Sequence, residues 1–378
     1  MSRPIELPRW LDLFVLPLIN LAMAFAASAL VLLTIGQDPL QVLALLVKGA
    51  FGSRSGLSYT LYYATTFVFT GLAVAVAFHA GLFNIGGEGQ AMMGGLGVGL
   101  VALGLGQSLP AWLLLPLMVA AAMLFGMVWA AVPGALQAWR GSHVVITTIM
   151  FNFIASALLI YLLVGPLKEA GNMTPESRAF GPAALLPGMH QMLGWIGLEW
   201  PRTPLNFSLL IAVASAVLVY LLLWRTQPGY SLRTVGFSPA AAAYAGIRPR
   251  SQIVQAMALS GALAALVGIN EIAGVHNRLM ADFVAGAGFT GIAVSLIGRN
   301  HPLGIALAAL LFGALYQGGA ELAFEIQGFS RDMVFTLQGL IVLFAGAMAQ
   351  VAAPWLAGVY QRLRRAPAAT EDAEAARG

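Results

Sequence analysis

An all-α, polytopic membrane helix bundle is the fold class the sequence predicts, and three observations carry that expectation. Hydrophobic residues fill 59% of 378 positions and charged residues only 9%, which leaves a water-soluble chain of this size too little polar surface to cover itself. Apolar stretches recur at close to the roughly 20 residues that a helix needs to cross the hydrocarbon core. Trp10, Trp112, Trp139, Trp224 and Trp355 fall at the ends of those stretches, where an amphipathic ring meets the headgroups.

Windows of spanning length place about ten transmembrane segments: 13 to 35, 59 to 78, 83 to 104, 111 to 136, 143 to 164, 205 to 224, 252 to 273, 284 to 298, 303 to 320 and 333 to 355. Together they make a single transmembrane domain over 13–355, preceded by a cytoplasmic N-terminus (1–12) and followed by a cytoplasmic tail (356–378). The tail is small and polar, PAATEDAEAARG from Pro367's neighbourhood onward, and is expected to be disordered. Ala27-Ser28-Ala29 resembles a signal-peptidase site, but the apolar run continues past it to full spanning length, so no cleavage is expected.

Basic residues set the orientation. With the N-terminus in the cytoplasm, the inner connections hold Arg140, Arg225, Arg233, Arg248, Arg250 and Arg299 with almost no acid, whereas the outer ones mix their basic residues with Glu169, Glu176, Glu199 and Asp282. The net charge of +4 is therefore a topology signal and not a nucleic-acid footprint. Both termini of this multi-pass chain are expected in the cytoplasm.

Between spans, PLQVLALLVKGAF inside residues 36–58 reads as an outer interfacial helix. Residues 165–204 form the longest outer loop, suited to an extracytoplasmic partner or simply solvated. The longest inner connection is 225–250, RTQPGYSLRTVGFSPAAAAYAGIRPR. Ser238 there is a good N-cap, Pro239 suits the first helical position and Gly246 the stop, so a short helix is predicted. A helix of that size is marginal alone, so it docks on a partner or on its own chain.

Two polar interruptions break the apolar pattern. In HAGLFNIGGEGQAMMGGLGVG (79 to 99), the stretch Phe78 to Gly89 leaves little room for an ordinary loop between spans, and Gly86, Gly87 and Gly89 permit irregular backbone, so a broken or re-entrant segment is expected near 80–90. Asn84, Glu88 and Gln90 then point into protein, either bonding that backbone or lining a solute path. Gly94, Gly95, Gly97 and Gly99 signal close helix contact. NEIAGVHNRLMADFVAGAGFTG (270 to 291) predicts the second break, near 274–291, with Glu271 at the end of an apolar helix. Interrupted segments in corresponding halves of a chain point to a transporter's site. The fragments Phe69 to Val74 (FTGLAV) and Phe289 to Val294 (FTGIAV) are near-identical, thin support for a repeat. Asn152, among Thr147, Thr148 and Ser156, reads as an interhelical amide.

Several classes are excluded. The chain has no Cys, hence no disulfide or thiolate site. His79, His143 and His301 lie near inner span ends with no ligand spacing around them, so no metal is expected. No Walker motif or nucleophile–base–acid set occurs, so the chain is not expected to be an enzyme or to hydrolyse ATP.

The motifs AFHAGLFNIGGEGQAMMGG (77 to 95), GSHVVITTIMFNFIA (141 to 155), LRTVGFSPAAAAYAGI (232 to 247) and GAGFTGIAVSLIGRNHPLGIALAALLFGAL (286 to 315) resemble the permease subunits of bacterial ABC importers of the branched-chain amino acid and simple sugar class, above all the nucleoside-importing branch. The resemblance implies a permease dimer, of identical or different chains, in the lipid bilayer, with a separate ABC ATP-binding protein and an extracytoplasmic substrate-binding lipoprotein or periplasmic protein. ATP and Mg would sit on the ATPase and no cofactor on this chain. Ser238 to Gly246 matches the coupling helix, with Arg233, Gly236, Ser238, Pro239, Tyr244 and Gly246 as coupling residues, although relatives usually carry Asn and often an acid where this chain has Phe237-Ser238-Pro239-Ala240. Asn84, Glu88, Gln90, Asn152 and Glu271 are the expected substrate path. A nucleoside is the favoured solute, with a simple sugar or branched-chain amino acid as alternatives. Outside the family, an ion-coupled secondary transporter using Glu88 and Glu271 is the rival reading, and an intramembrane enzyme the weakest.

Overall fold

The computed structural model describes residues 16–34 and 36–326, with isolated positions between 333 and 360. The chain divides into two compact units, residues 46–318 and residues 1–45 with 319–378. The described residues are mainly helices, joined by short connections except for the long stretch 165–207. The expected N-terminal segment 1–12, Trp10, Trp355, most of the 333–355 span and the tail lie outside the described residues.

In the smaller unit, α1 (Leu16–Thr34) carries Ser28 inside its apolar run, and the hydroxyl donates to the Ala24 carbonyl 2.9 Å away. Such i−4 bonding satisfies a hydroxyl within an apolar helix. α2 (Pro39–Phe51) is the helix expected from PLQVLALLVKGAF; its Val42 and Leu46 are buried while Leu40 and Val47 are exposed, the pattern of an amphipathic helix.

Inside residues 46–318, α3 (Arg54–His79) is the hub. Ser53 caps its start by accepting from the Gly56 N–H, and its apolar character runs all round, which fits a helix enclosed by others. It packs against α8 (Ser208–Arg225), α11 (Pro249–Ala265) and α12 (Ala287–Ile297). In its most apolar window 78% of residues are buried, against 22% for α5 (Ala111–Arg140), so α3 is protein-enclosed while α5 turns most of its surface outward. α5 lies along α4 (Gly87–Leu105) and α11. The glycines of α4 permit this approach: a Cβ on Gly94 would collide with the Ala265 backbone, one on Gly97 would lie 3.0 Å from the Ala121 carbonyl carbon, and one on Gly95 would meet the Phe283 ring. Gly126 of α5 and Gly261 of α11 each present a carbonyl where the other's Cβ would stand.

Seven described helices are long and apolar enough to cross a membrane, or eight if the pair Ala22–Thr34 and Pro39–Phe51 is one span. The eighth expected segment, 284 to 298, is the short α12 of 11 residues. The seventh runs three residues further than expected, because α11 continues through a π-helical segment, Ile269–His276; Glu271 lies inside that segment and does not end a helix. α5 ends at Gly141, whose φ of +68° and N–H to the Leu136 carbonyl close the helix in the left-handed conformation that glycine adopts readily.

The 165–207 connection folds back on its own bundle. Glu176 bridges to Met280 and Gly188 to Asn206 as isolated backbone pairs, Arg278 Nη1 sits 2.9 Å from Glu176 Oε1, and Trp200 Nε1 donates to Ser58 Oγ at 2.6 Å. α6 (Val144–Val164), the short α7 (Met189–Gly194) and α13 (Pro302–Glu325) complete the set with α9 (Gln227–Phe237) and α10 (Pro239–Tyr244).

Candidate functional site

α3 ends at His79, and Ala80 to Gly86 run non-helically before α4 begins at Gly87. A chain that leaves helical order inside packed protein exposes N–H and C=O groups that need partners, and the predicted polar residues supply them. Asn84 donates to Gln90 Oε1 at 2.9 Å and Ser260 Oγ at 2.8 Å, while its Oδ1 accepts from Gly86 N at 2.8 Å and Gln90 Nε2 at 3.1 Å. All four hydrogen-bonding positions of that amide are taken. Ser260 passes the chain on to the Ala73 carbonyl of α3.

Asn152 of α6 reaches in from the side. Its Oδ1 accepts from Gly89 N and its Nδ2 donates to the Ile85 carbonyl, both at 2.9 Å, so one amide ties the break to the first turn of α4. The sequence reading of an interhelical amide is right in kind, but its partner is backbone, not another side chain. Gly89 is the residue that lets it in: a Cβ there would stand 2.9 Å from Asn152 Cα.

Glu88 joins the two breaks. Its Oε1 accepts from Gly286 N at 2.8 Å and its Oε2 from Gly288 N at 2.9 Å. These are free N–H groups at the start of α12, where a carboxylate is favoured by both hydrogen bonding and the helix dipole. The α4 and α12 backbones nearly touch, since a Cβ on Gly288 would fall against the Glu88 backbone. The approach to α12 is irregular, with Asn277, Asp282, Ala285 and Gly286 at positive φ.

Glu271 belongs to a separate polar cluster facing α3. Tyr62 donates to its Oε2 in a short hydrogen bond, Thr66 to its Oε1 at 2.9 Å, and Asn270 Nδ2 to the same oxygen at 3.3 Å. Asn270 Oδ1 accepts from Asn206 Nδ2 at 3.0 Å and Ser208 Oγ at 2.5 Å, which anchors the start of α8. His276 Nε2 stands 4.0 Å from Glu271 Oε2. A π segment inserts one extra residue per turn, and it commonly does so at functional positions in membrane and soluble helices alike.

The structure thus gathers Asn84, Glu88, Gln90 and Asn152 around one break and leaves Glu271 on the other with α3. Sequence reasoning missed Ser260, Tyr62, Thr66, Asn206 and Ser208, each a common residue within or beside an apolar helix with no local signal. The near-repeat does register in space: Gly71 approaches Val294 and Gly291 approaches Thr70, so the two similar fragments pack on each other.

The predicted coupling helix is α10. Ser238 Oγ accepts from Ala241 N at 3.3 Å, Pro239 opens the helix, and Gly246 has φ +78° after its end. Phe237 and Tyr244 are 91% and 95% exposed, which leaves two aromatic rings without cover among the described residues. α9 before it was not predicted; Thr226 as a side-chain cap and Pro228 in the first turn were its signals. Gly236 of α9 lies directly on the first break, where a Cβ would stand 2.9 Å from the His79 carbonyl carbon and 3.0 Å from Gly81 N. Arg233, one turn earlier, buries its Nε with no hydrogen-bond partner among the described residues. Between the end of α5 and the start of α11, a cavity of about 670 Å³ is lined by Trp139, Arg248, Arg250, Ser251 and Gln255 among others.

An apolar bundle with two braced breaks, one of them packed against α9, defines a membrane permease scaffold. The chain belongs to the family described as the branched-chain amino acid transport system / permease component, whose model matches residues 56–346. Similar proteins include a glucose ABC transporter permease protein, TsgB13, of Haloferax volcanii (36% identical over 89% of this chain and 88% of that one). The guanosine ABC transporter permease protein NupP of Bacillus subtilis is 33% identical over 88% and 92%. The nucleoside ABC transporter permease protein NupB of Lactococcus lactis is 31% identical over 87% and 89%. The chain is a permease-type subunit of an ABC transport system.

Proposed function

We propose that this chain forms the pore through which a nucleoside is imported, with ATP and Mg bound and hydrolysed by a separate ABC ATP-binding protein that docks on α10. The observation that carries the reading is the continuous contact from the exposed α10 through α9 to the first break at Gly236, and from that break through Glu88 to the start of α12. A displacement imposed on α10 and α9 reaches both irregular segments without crossing lipid-facing helix.

In this reading α10 lies in the cytoplasm, the termini are cytoplasmic and the membrane is the bacterial inner membrane. A second permease subunit, identical or different, completes the passage. An extracytoplasmic lipoprotein or periplasmic binding protein delivers solute to the end carrying the 165–207 connection. Glu271 and the four bracing residues Asn84, Glu88, Gln90 and Asn152 shape the route: they hold the breaks open to polar cargo, and Glu271 contacts it. The guanosine and nucleoside relatives support the choice of solute.

The test is ATP-driven uptake of labelled guanosine by proteoliposomes holding the permease pair and its ATPase. Uptake that depends on ATP and disappears when 238–246 is scrambled is expected; uptake driven by an ion gradient with no ATPase present overturns the reading. A sugar is the second reading, favoured by the glucose permease relative; labelled glucose in the same vesicles decides between them.

A further inference from the structure

We infer that Tyr63 and Tyr316, together with Glu271 and His276, form a station for the passing solute at membrane depth, the rings taking a planar base and the carboxylate a sugar hydroxyl. The inference rests on the nucleoside reading above and names the chemistry by which this chain would recognise such a solute.

α3 carries two adjacent stripes at helical spacing: Tyr62, Thr66 and Thr70, which are buried, and Tyr59, Tyr63 and Phe67, of which the two tyrosines are only half-buried. The first stripe is committed to Glu271 through Tyr62 and Thr66. The second is not. Tyr63 touches Tyr62 with ring centroids 5.0 Å apart and Tyr316 of α13 at 5.6 Å, tilted by 53° and 49°, so neither contact covers a ring face in parallel stacking. Phe67 backs Tyr316 edge-on at 5.0 Å and Phe312 at 6.0 Å, a wall that fixes the rings. A phenol placed only for packing normally finds a partner for its hydroxyl, yet the Tyr63 hydroxyl has none among the described residues. Thr290 and the Tyr316 hydroxyl stand 3.4 Å apart, at the limit of a hydrogen bond.

Glu271 has an acceptor to spare. A carboxylate offers about four lone-pair positions; Thr66 and Asn270 take two on Oε1, and Tyr62 takes one on Oε2. The remaining position is on Oε2, the oxygen that His276 Nε2 approaches at 4.0 Å, too far to bond it directly. A hydroxyl sitting at hydrogen-bond distance from both groups would complete the arrangement. A third of the His276 side-chain surface is exposed against 9% for Glu271, so an incoming group would approach from the His276 side. Half-buried rings with no parallel-stacked neighbour suit a base, which stacks through its π face, and an acceptor next to an imidazole suits a ribose hydroxyl. A solute bearing its own carboxylate would bring a second acid against Glu271, which disfavours an amino acid.

The experiment uses the complete transporter in proteoliposomes with ATP, and labelled guanosine and labelled glucose as probes. Tyr63→Leu and Tyr316→Leu keep apolar volume and remove the ring, while Tyr63→Phe and Tyr316→Phe keep the ring and the packing. Guanosine uptake is expected to fall about ten-fold in each Leu variant, in line with the cost of losing one base-stacking ring, and to stay within about two-fold in each Phe variant, with unchanged ATPase activity and melting temperature. Leu variants that import guanosine as the parent does, or Phe variants that fall as far as Leu variants, overturn the station while leaving the nucleoside reading intact. A parent protein that imports glucose and not guanosine overturns the nucleoside reading itself, and the station with it.

Discussion

Among the described residues, Glu88 is the side chain that hydrogen-bonds from the first interruption to the second, so its removal tests whether the breaks are structurally joined. Glu88→Ala takes the acceptor from Gly288 N, which is buried, and from Gly286 N, which is half-exposed. A hydrogen bond to a charged group contributes about 1.5–3 kcal/mol, and a buried donor left without a partner costs about 1–3 kcal/mol. Gly288 N has no access to water and incurs the larger share, about 2 kcal/mol; Gly286 N recovers part of its loss from solvent and adds about 1 kcal/mol. The expected destabilisation is about 3 kcal/mol, corresponding to a fall in melting temperature on the order of 5–10 °C for a unit of this size. Glu88→Gln restores one acceptor but turns an NH2 toward the other N–H, so it should lose about 2 kcal/mol. Glu88→Asp, one methylene short, should fall between the parent and Ala. Melting of the purified protein in nanodiscs, followed by intrinsic Trp fluorescence, gives the order. The reasoning is refuted if Glu88→Ala melts within about 1 °C of the parent, because the two N–H groups would then have other partners.

Other outcomes follow from the same geometry. Asn152→Asp keeps the acceptor for Gly89 N and loses the donor to the Ile85 carbonyl, so it should cost about 1–3 kcal/mol in the same melts, and Asn152→Leu more. Gly236→Val drives side-chain carbons into the His79 carbonyl and Gly81; ATP-driven uptake should fall at least about ten-fold, while Gly246→Ala, whose Cβ meets nothing nearby, should cost only its positive φ, about 1 kcal/mol. Tyr244→Ala and Phe237→Ala should leave the melting temperature unchanged, since both rings are exposed, yet weaken capture of the ATPase in a pull-down of the reconstituted complex. Glu176 is held below the ordinary carboxylate value of 4.5 by hydrogen bonds from Asn172 and Thr174 and by Arg278. Its folded-state value is the lower one, so its contribution is present at neutral pH and lost as pH falls through that value; protection of the 165–180 amides, taken relative to their intrinsic exchange at each pH, should fall below pH 4.5, and do so less in Arg278→Ala.

Much of this arrangement was written into local sequence. The spans came from apolar length, α10 from Ser238, Pro239 and Gly246, and both breaks from glycine beside acid and amide, because each signal depends on neighbours a few residues apart. Apolarity alone also marked the positions where polar groups had to be enclosed by protein. What local pattern did not contain was the partner of each of those groups. Glu88 meets Gly286 and Gly288 some 200 residues later, Tyr62 and Thr66 close on Glu271 across a similar span, and Gly236 settles on Gly81. A hydrogen bond takes its value from an atom within about 3 Å, and periodicity says which face a residue occupies but not which other segment will face it. The sequence by itself determined that the chain is a membrane bundle with two polar interruptions; the tertiary packing decided that those interruptions are tied to each other and to the exposed helix, since only close contact between distant segments brings their unpaired groups together.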